Sequence, residues 1–139
     1  MIKRGGAGLK FDNDFFNTEV REGFEISSMM KRAWAAQMEV FQVVSDICNR
    51  NGIRYFADFG TLLGAVRHKG MIPWDDDIDI SLMRDEYNEL IRILPGELPY
   101  GFVVAGMYAD CERLQNAAFV PQLRVIACLL YTSPSPRDI

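Results

Sequence analysis

The stretch GMIPWDDDIDISL, Gly70 to Leu82, sets four aspartates between a Pro-Trp pair and a run of apolar residues. From Asp77 it alternates strictly: Asp77, Asp79 and Ser81 share one parity, and Ile78, Ile80 and Leu82 share the other. Successive side chains of a strand point to opposite faces, so the alternation predicts a strand that is acidic on one side and core-facing on the other. Asp75 has the parity of Asp77 and Asp79, and three carboxylates are expected to converge. Carboxylates a few ångströms apart repel strongly in a partly desolvated site, and either take up protons or share a cation. Mg2+ or Mn2+ prefers such hard oxygens, keeps part of its water and brings phosphates with it. Asp75, Asp77 and Asp79 are therefore the candidate metal ligands. A solvated acidic edge is the bland alternative, and the apolar residues on the opposite parity argue against it. A calcium loop with Asp75, Asp77, Asp79 and Glu86 at its first, third, fifth and twelfth positions fails on detail. Its sixth position is Ile80 instead of glycine, and Pro73-Trp74 stands where an entering helix is required.

Upstream, IRYFADF (Ile53 to Phe59) reads as a short strand ending in a tight turn at Gly60, and TLLGAVRHKG as a helix from Thr61 that fades by His68 and stops at Gly70. A glycine at such a junction lets backbone approach a phosphate, and the helix N-terminus offers free N–H groups and a partial positive charge. Gly60 and Thr61 are thus candidate phosphate-binding residues. A lone Gly-Thr is more often a plain turn, but one leading to an acidic strand carries more weight. Arg67, His68 and Lys69 supply three donors in a row: Arg67 can clamp a phosphate at two points and Lys69 can act as a point charge. His68, the single histidine, is a candidate phosphate ligand or proton carrier, with an ordinary loop histidine as the alternative. Trp74 could stack on a base or a choline-like cation, although packing beside Pro73 is the expected role.

Farther out, apolar residues at Trp34, Met38, Phe41, Val44, Ile47 and Cys48 predict an amphipathic helix capped at Ser27 or Ser28 and stopped by Asn51-Gly52. Arg84 to Leu94 predicts a second helix, ended by Pro95-Gly96. FVVAGM and AFVPQLRVI are predicted strands, the second restricted to an edge or bulge by Pro121. Residues 1–26 show no clear period and read as an irregular lead-in. Helices alternating with short strands indicate an α/β (α+β) domain.

The 139 residues are 49% hydrophobic and 24% charged, which suits one ordered core. With a net charge of -4 and no clustered Lys/Arg stripe, nucleic acid is not expected as a partner. No apolar run approaches a membrane span, and the start lacks a signal-type core, so the expectation is a cytoplasmic protein, with peripheral membrane association left open. Three cysteines, Cys48, Cys111 and Cys128, have no metal-type spacing, and their odd number suits a reducing compartment. The tail CLLYTSPSPRDI, Cys128 to Ile139, back-translates to a transposon-based sequencing adapter read in frame, so residues 128–139 are expected to be non-native and the domain to be cut short near Ala127.

YFADFGTLLGAVRHKGMIPWDDDIDISLMRDEY, Tyr55 to Tyr87, resembles the signature of the LicD family of bacterial phosphocholine transferases, related to fukutin and fukutin-related protein within the nucleotidyltransferase superfamily. The similarity is dense there and weaker upstream to Ser28. It implies that residues 27–127 form the N-terminal part of a nucleotidyltransferase-like domain, a mixed sheet flanked by helices. It also implies metal-dependent transfer of a phospho-alcohol group, typically phosphocholine, from a CDP-linked donor to a hydroxyl of a cell-surface glycan, with release of CMP. By position, Asp77 and Asp79 are implied as catalytic metal ligands and Asp75 as an additional one. Gly60 and Thr61 are implied as the phosphate turn, with Arg67 and His68 near the donor phosphates. The family's further aspartate, on a later strand, has no match before Ala127, since Asp110 and Glu112 lie in YADCERLQ, and it is expected beyond the truncation. Two other readings remain at this point: a nucleotide-sugar glycosyltransferase with an Asp-x-Asp metal site, and an inactive binding module of the same fold. Donor, acceptor and oligomeric state are not named by the sequence.

Overall fold

The computed structural model describes residues 9–105 and 124–127. Its spine is helix α1, Ser28–Arg50, which begins where Ser27 Oγ accepts the Met30 N–H at 3.1 Å and satisfies one of the free donors of the first turn. The helix ends at Asn51, whose N–H reaches back to the Ile47 and Cys48 carbonyls, and the chain turns through Gly52 at φ 65. Its predicted apolar stripe faces the core: Val44, Ile47 and Cys48 pack with Ile53 and with Leu90 and Leu94 of helix α3, Arg84–Glu97. Burial pushes the Cys48 thiol above its ordinary pKa, as expected for a packing residue.

Helix α3 continues through Pro95-Gly96, where the sequence predicts its end. A proline near the C-terminus of a helix removes one donor, yet its fixed φ is helical, and the Leu98 N–H still closes on the Leu94 carbonyl at 3.0 Å. At the other end Glu86 pairs with Arg54, which draws the Glu86 carboxyl below its usual range and ties α3 to the chain leaving α1.

The protein is of the α/β class, with its strands, among the described residues, in three two-stranded antiparallel ladders. Strand β1, Glu19–Arg21, pairs with β2, Phe24–Ile26; β3, Phe56–Ala57, pairs with β4, Ile80–Ser81; and β5, Phe102–Ala105, pairs with β6, Arg124–Ala127. The β5 and β6 strands fall within the predicted FVVAGM and AFVPQLRVI segments and one residue beyond, while Pro121, Cys111, Cys128 and the tail lie outside the described residues. Val104 and Val125 pack against the α1–α3 core.

The lead-in differs from expectation, because residues 19–26 form a hairpin. Its two turn residues, Glu22 at φ 50 and Gly23 at φ 76, both adopt the left-handed conformation that a two-residue hairpin turn requires. A glutamate in that position gives little sequence signal. The hairpin is anchored by the buried Ile26 and by Lys31 of α1, whose Nζ lies 2.8 Å from Glu19 Oε1 and over the Phe15 ring. No helix among the described residues is long and apolar enough to cross a membrane.

Candidate functional site

The acidic stretch is a loop for most of its length, a correction to the predicted strand. Only Ile80 and Ser81 pair in a ladder, and the partner is equally short, because after Ala57 the chain leaves β3 to start helix α2, Phe59–Arg67. Residues 75–79 then have no strand beside them. The inward parity survives where the ladder exists, with Ile80 and Leu82 packed against the core. Before it, the Asp75 N–H donates to the Ile72 carbonyl at 2.9 Å, closing a turn whose second residue is Pro73, the position its fixed φ favours. The Asp76 N–H then donates to Asp75 Oδ1 at 3.0 Å.

This folding gathers Asp75, Asp76 and Asp77, with one carboxylate oxygen from each lying within 4.8 Å of the others. Alternation assigned Asp76 to the opposite face, and the loop brings it in. Asp79 is not one of these three, and its backbone does a different job. Its N–H donates to Thr61 Oγ1 at 2.8 Å and its carbonyl accepts from the Asp58 N–H at 3.2 Å. Three hard oxygen donors in that space, two of them exposed, fit a hydrated divalent cation such as Mg2+ or Mn2+.

Helix α2 starts two residues earlier than its predicted first residue, Thr61. Asp58 is its cap: one carboxylate oxygen accepts the Phe59 N–H at 2.8 Å, and the other accepts the Ser81 hydroxyl. These two bonds, the hydroxyl's first, hold the Asp58 carboxyl below its ordinary pKa. Phe59 sits at φ 47, a left-handed conformation that costs a non-glycine residue roughly 1–2 kcal/mol and that its capped N–H helps to sustain.

Two glycines let the acidic loop lie against this helix. A Cβ at Gly60 would collide with the Asp75 carboxylate, and one at Gly64 would collide with the Gly70 carbonyl. The Gly64 carbonyl also accepts from His68 and Gly70, closing the end of α2 through the left-handed Lys69. From the other side, the indole N–H of Trp34 donates to the Asp75 carbonyl at 2.7 Å. Trp34 is 2% exposed, so this bond satisfies a buried donor while fixing the loop to α1.

Of the residues singled out in the sequence, Gly60, Thr61, Asp75, Asp77 and Asp79 come together at the N-terminal end of α2. Arg67 and His68 do not join them, since six to eight residues of helix place them roughly 9–12 Å along the axis from Thr61 and Gly60. Arg67 is exposed. His68 Nδ1 lies 3.3 Å from Glu22 Oε1, and its ring stands edge-to-face with Trp74. Trp74 corrects the packing expectation: Pro73 is buried, but Trp74 is 55% exposed and meets only the Phe24 and His68 rings among the described aromatic contacts. Sequence reasoning missed Asp58, Asp76 and Trp34. Asp58 had a signal, as a capping residue type directly before the helix; Trp34 had none, because it reads as one more core aromatic.

Residues 52–120 match the family described as LicD/FKTN/FKRP, nucleotidyltransferase domain. Among curated proteins the chain is 53% identical over 47 residues to the lipopolysaccharide cholinephosphotransferase LicD of Haemophilus influenzae, covering 34% of this chain and 18% of that protein. It is 41% identical over 81 residues to an uncharacterized protein of Rickettsia prowazekii, covering 55% of this chain and 30% of that one. It is 37% identical over 51 residues to the human ribitol 5-phosphate transferase FKRP, covering 37% and 10%. The chain thus spans under a third of the length of each of these relatives. No solved structure matches it.

Proposed function

Since residues 52–120 belong to the LicD/FKTN/FKRP nucleotidyltransferase-domain family, we propose that the protein takes part in the transfer of a phospho-alcohol group, phosphocholine or a close relative, from a CDP-linked donor to a glycan hydroxyl. The observation that carries this reading is the Asp75–Asp76–Asp77 carboxylate group seated against the start of α2, where a Gly60 side chain would block it. The relatives named for cholinephosphate and ribitol phosphate transfer support the class of reaction.

In this reading Asp75, Asp76 and Asp77 hold Mg2+ or Mn2+, with Asp79 at the edge of the site. When bound, the cation neutralises the donor diphosphate and stabilises the departing CMP. The chain's own parts do the positioning. Asp58 takes up the Phe59, Thr61 and Leu62 N–H groups, which leaves the Gly60 N–H as the first-turn donor for a phosphate oxygen. Thr61 accepts the Asp79 N–H with its hydroxyl and donates its own N–H to the Asp58 carbonyl, and so fixes the loop against the helix. Arg67 and His68 lie about two turns along α2 from Gly60, and this reading gives them no direct hold on the diphosphate. The acceptor hydroxyl oxygen attacks the phosphorus bearing the alcohol, the bond from that phosphorus to the CMP oxygen breaks, and the hydroxyl proton leaves to a carboxylate or water.

The test is incubation of the full-length protein with Mg2+, a glycan acceptor and either CDP-choline or UDP-sugars. Release of CMP with phosphocholine on the acceptor supports the reading; release of UDP instead assigns the site to glycosyl transfer. Asp77→Asn should abolish Mg2+-dependent CMP release while the fold persists, and unchanged turnover sinks the role given to the acidic loop.

A further inference from the structure

The loop that carries the aspartates has little regular backbone support of its own. From Gly70 to Asp79 no residue pairs in a ladder, and the Asp75 and Asp76 N–H groups close only on the Ile72 carbonyl and on Asp75 Oδ1. Its three carboxylates repel one another and favour an opened loop unless a cation or the surrounding protein opposes them. Helix α2 bounds the loop on one side through Gly60 and Gly64. The hairpin of residues 19–26, outside the segment that matches the family, reaches it through three side chains. Phe24 of β2 packs edge-to-face on Trp74, with ring centroids 6.0 Å apart. Glu22 Oε1, at the turn, lies 3.3 Å from His68 Nδ1, and the His68 ring in turn meets Trp74. Arg21 of β1 sets its guanidinium carbon 5.9 Å from the centre of the Trp34 ring, whose N–H holds the Asp75 carbonyl. The hairpin is itself fixed to α1 and not to the loop, since Ile26 is fully buried and Lys31 pairs with Glu19.

We infer that the hairpin is a clasp that holds the acidic loop with its carboxylates together, with Phe24 and Trp34 as the positioning residues, so that cation affinity is set in part from outside the family's matched segment. For its functional consequence the clasp rests on the cation reading of the acidic loop; the clasp itself concerns the loop's conformation. Trp34 acts directly on the Asp75 carbonyl. Phe24 acts through Trp74, whose Cα is one peptide, ~3.8 Å, from that of Asp75. Neither side chain offers an oxygen to a metal, so any effect of either on cation affinity passes through the placement of the carboxylates. Removing an outer partner of this kind lowers metal affinity by roughly 10- to 100-fold.

The experiment compares the full-length protein with its Phe24→Ala, Phe24→Tyr and Trp34→Phe variants, first without metal. Phe24 is 37% exposed, so its truncation spares the α1–α3 core. Amide hydrogen exchange in the peptide covering residues 70–79 reports opening of the loop. It should quicken about tenfold in Phe24→Ala and Trp34→Phe and keep the parent rate in Phe24→Tyr, which retains the ring. Mn2+ affinity measured by electron paramagnetic resonance should fall roughly tenfold in the same two variants. Ile47→Val loosens the α1–α3 core instead, and should leave both the loop exchange and the Mn2+ affinity at the parent values. Parental loop exchange in Phe24→Ala, or an equal rise in Ile47→Val, overturns the clasp. If loop exchange rises as expected while the parent binds no Mn2+, the clasp stands and the cation reading fails. If the parent binds Mn2+ and the variants bind and exchange as it does, the clasp fails and the cation reading stands.

Discussion

Gly60→Ala is the sharpest perturbation of the site, because it separates folding from ligand binding. Gly60 lies in the first turn of α2 and is not among the residues with positive φ, so alanine meets no backbone strain there. Helix propensity favours alanine by up to about 1 kcal/mol. Against this, the new methyl occupies the place of the Asp75 carboxylate, which must swing away and release the Asp76 N–H. A lost hydrogen bond of this kind costs about 1 kcal/mol. The two effects nearly cancel, and thermal unfolding followed by circular dichroism should give a midpoint close to that of the parent. The carboxylate group loses one of its three members, so Mn2+ affinity measured by electron paramagnetic resonance should fall by roughly 10–100-fold, the range typical when a ligand loses its positioning. A folded Gly60→Ala protein that binds Mn2+ as the parent does refutes the assignment of Asp75 to the cation and of Gly60 to its placement.

Trp34→Phe keeps an aromatic in the core but removes the donor to the Asp75 carbonyl, so urea unfolding should show a loss of roughly 1–3 kcal/mol; a change near zero means the bond does not hold the loop. Ser81→Ala removes the first cause of the low Asp58 pKa, and the Asp58 carboxyl titration followed by carbon NMR should move up toward its ordinary value. Because Asp58 and Glu86 both titrate below their ordinary values, the stability they contribute is present above their unfolded pKa values and is lost as pH falls through the lower folded ones. Acid unfolding should therefore begin below about pH 4, and Glu86→Gln should flatten that limb; an unaltered acid limb in both variants contradicts the pairing.

The helices were legible because their signals are local. The spacing of Trp34, Val44, Ile47 and Cys48 needs only a period of 3.6, and Ser27 needs only its hydroxyl. The acidic stretch was misread as a strand because alternation states which face a residue prefers, not whether a neighbour is present to pair with. That neighbour ends at Ala57, since Asp58 caps a helix instead of extending β3. The same fact explains why Asp76 joins Asp75 and Asp77 and why Trp74 turns outward. The meeting of Gly60-Thr61 with the aspartates was visible as a suspicion in the sequence. Its cause, two glycines that let residues 70–75 lie against α2, is a contact between segments and has no local signature. The hairpin turn at Glu22-Gly23 escaped for a related reason: a left-handed glutamate is set by its ladder, not by its own preference.

The direct test of a cation at the head of α2 is to add Mn2+ to the labelled protein and record which backbone amides broaden first, then to compete with Mg2+. Broadening that starts at Asp75–Asp77 and at Gly60 and Thr61, and that Mg2+ reverses, is the expected result. Broadening that starts elsewhere, at Glu22 and Glu25 of the hairpin or evenly over all exposed acids, contradicts it.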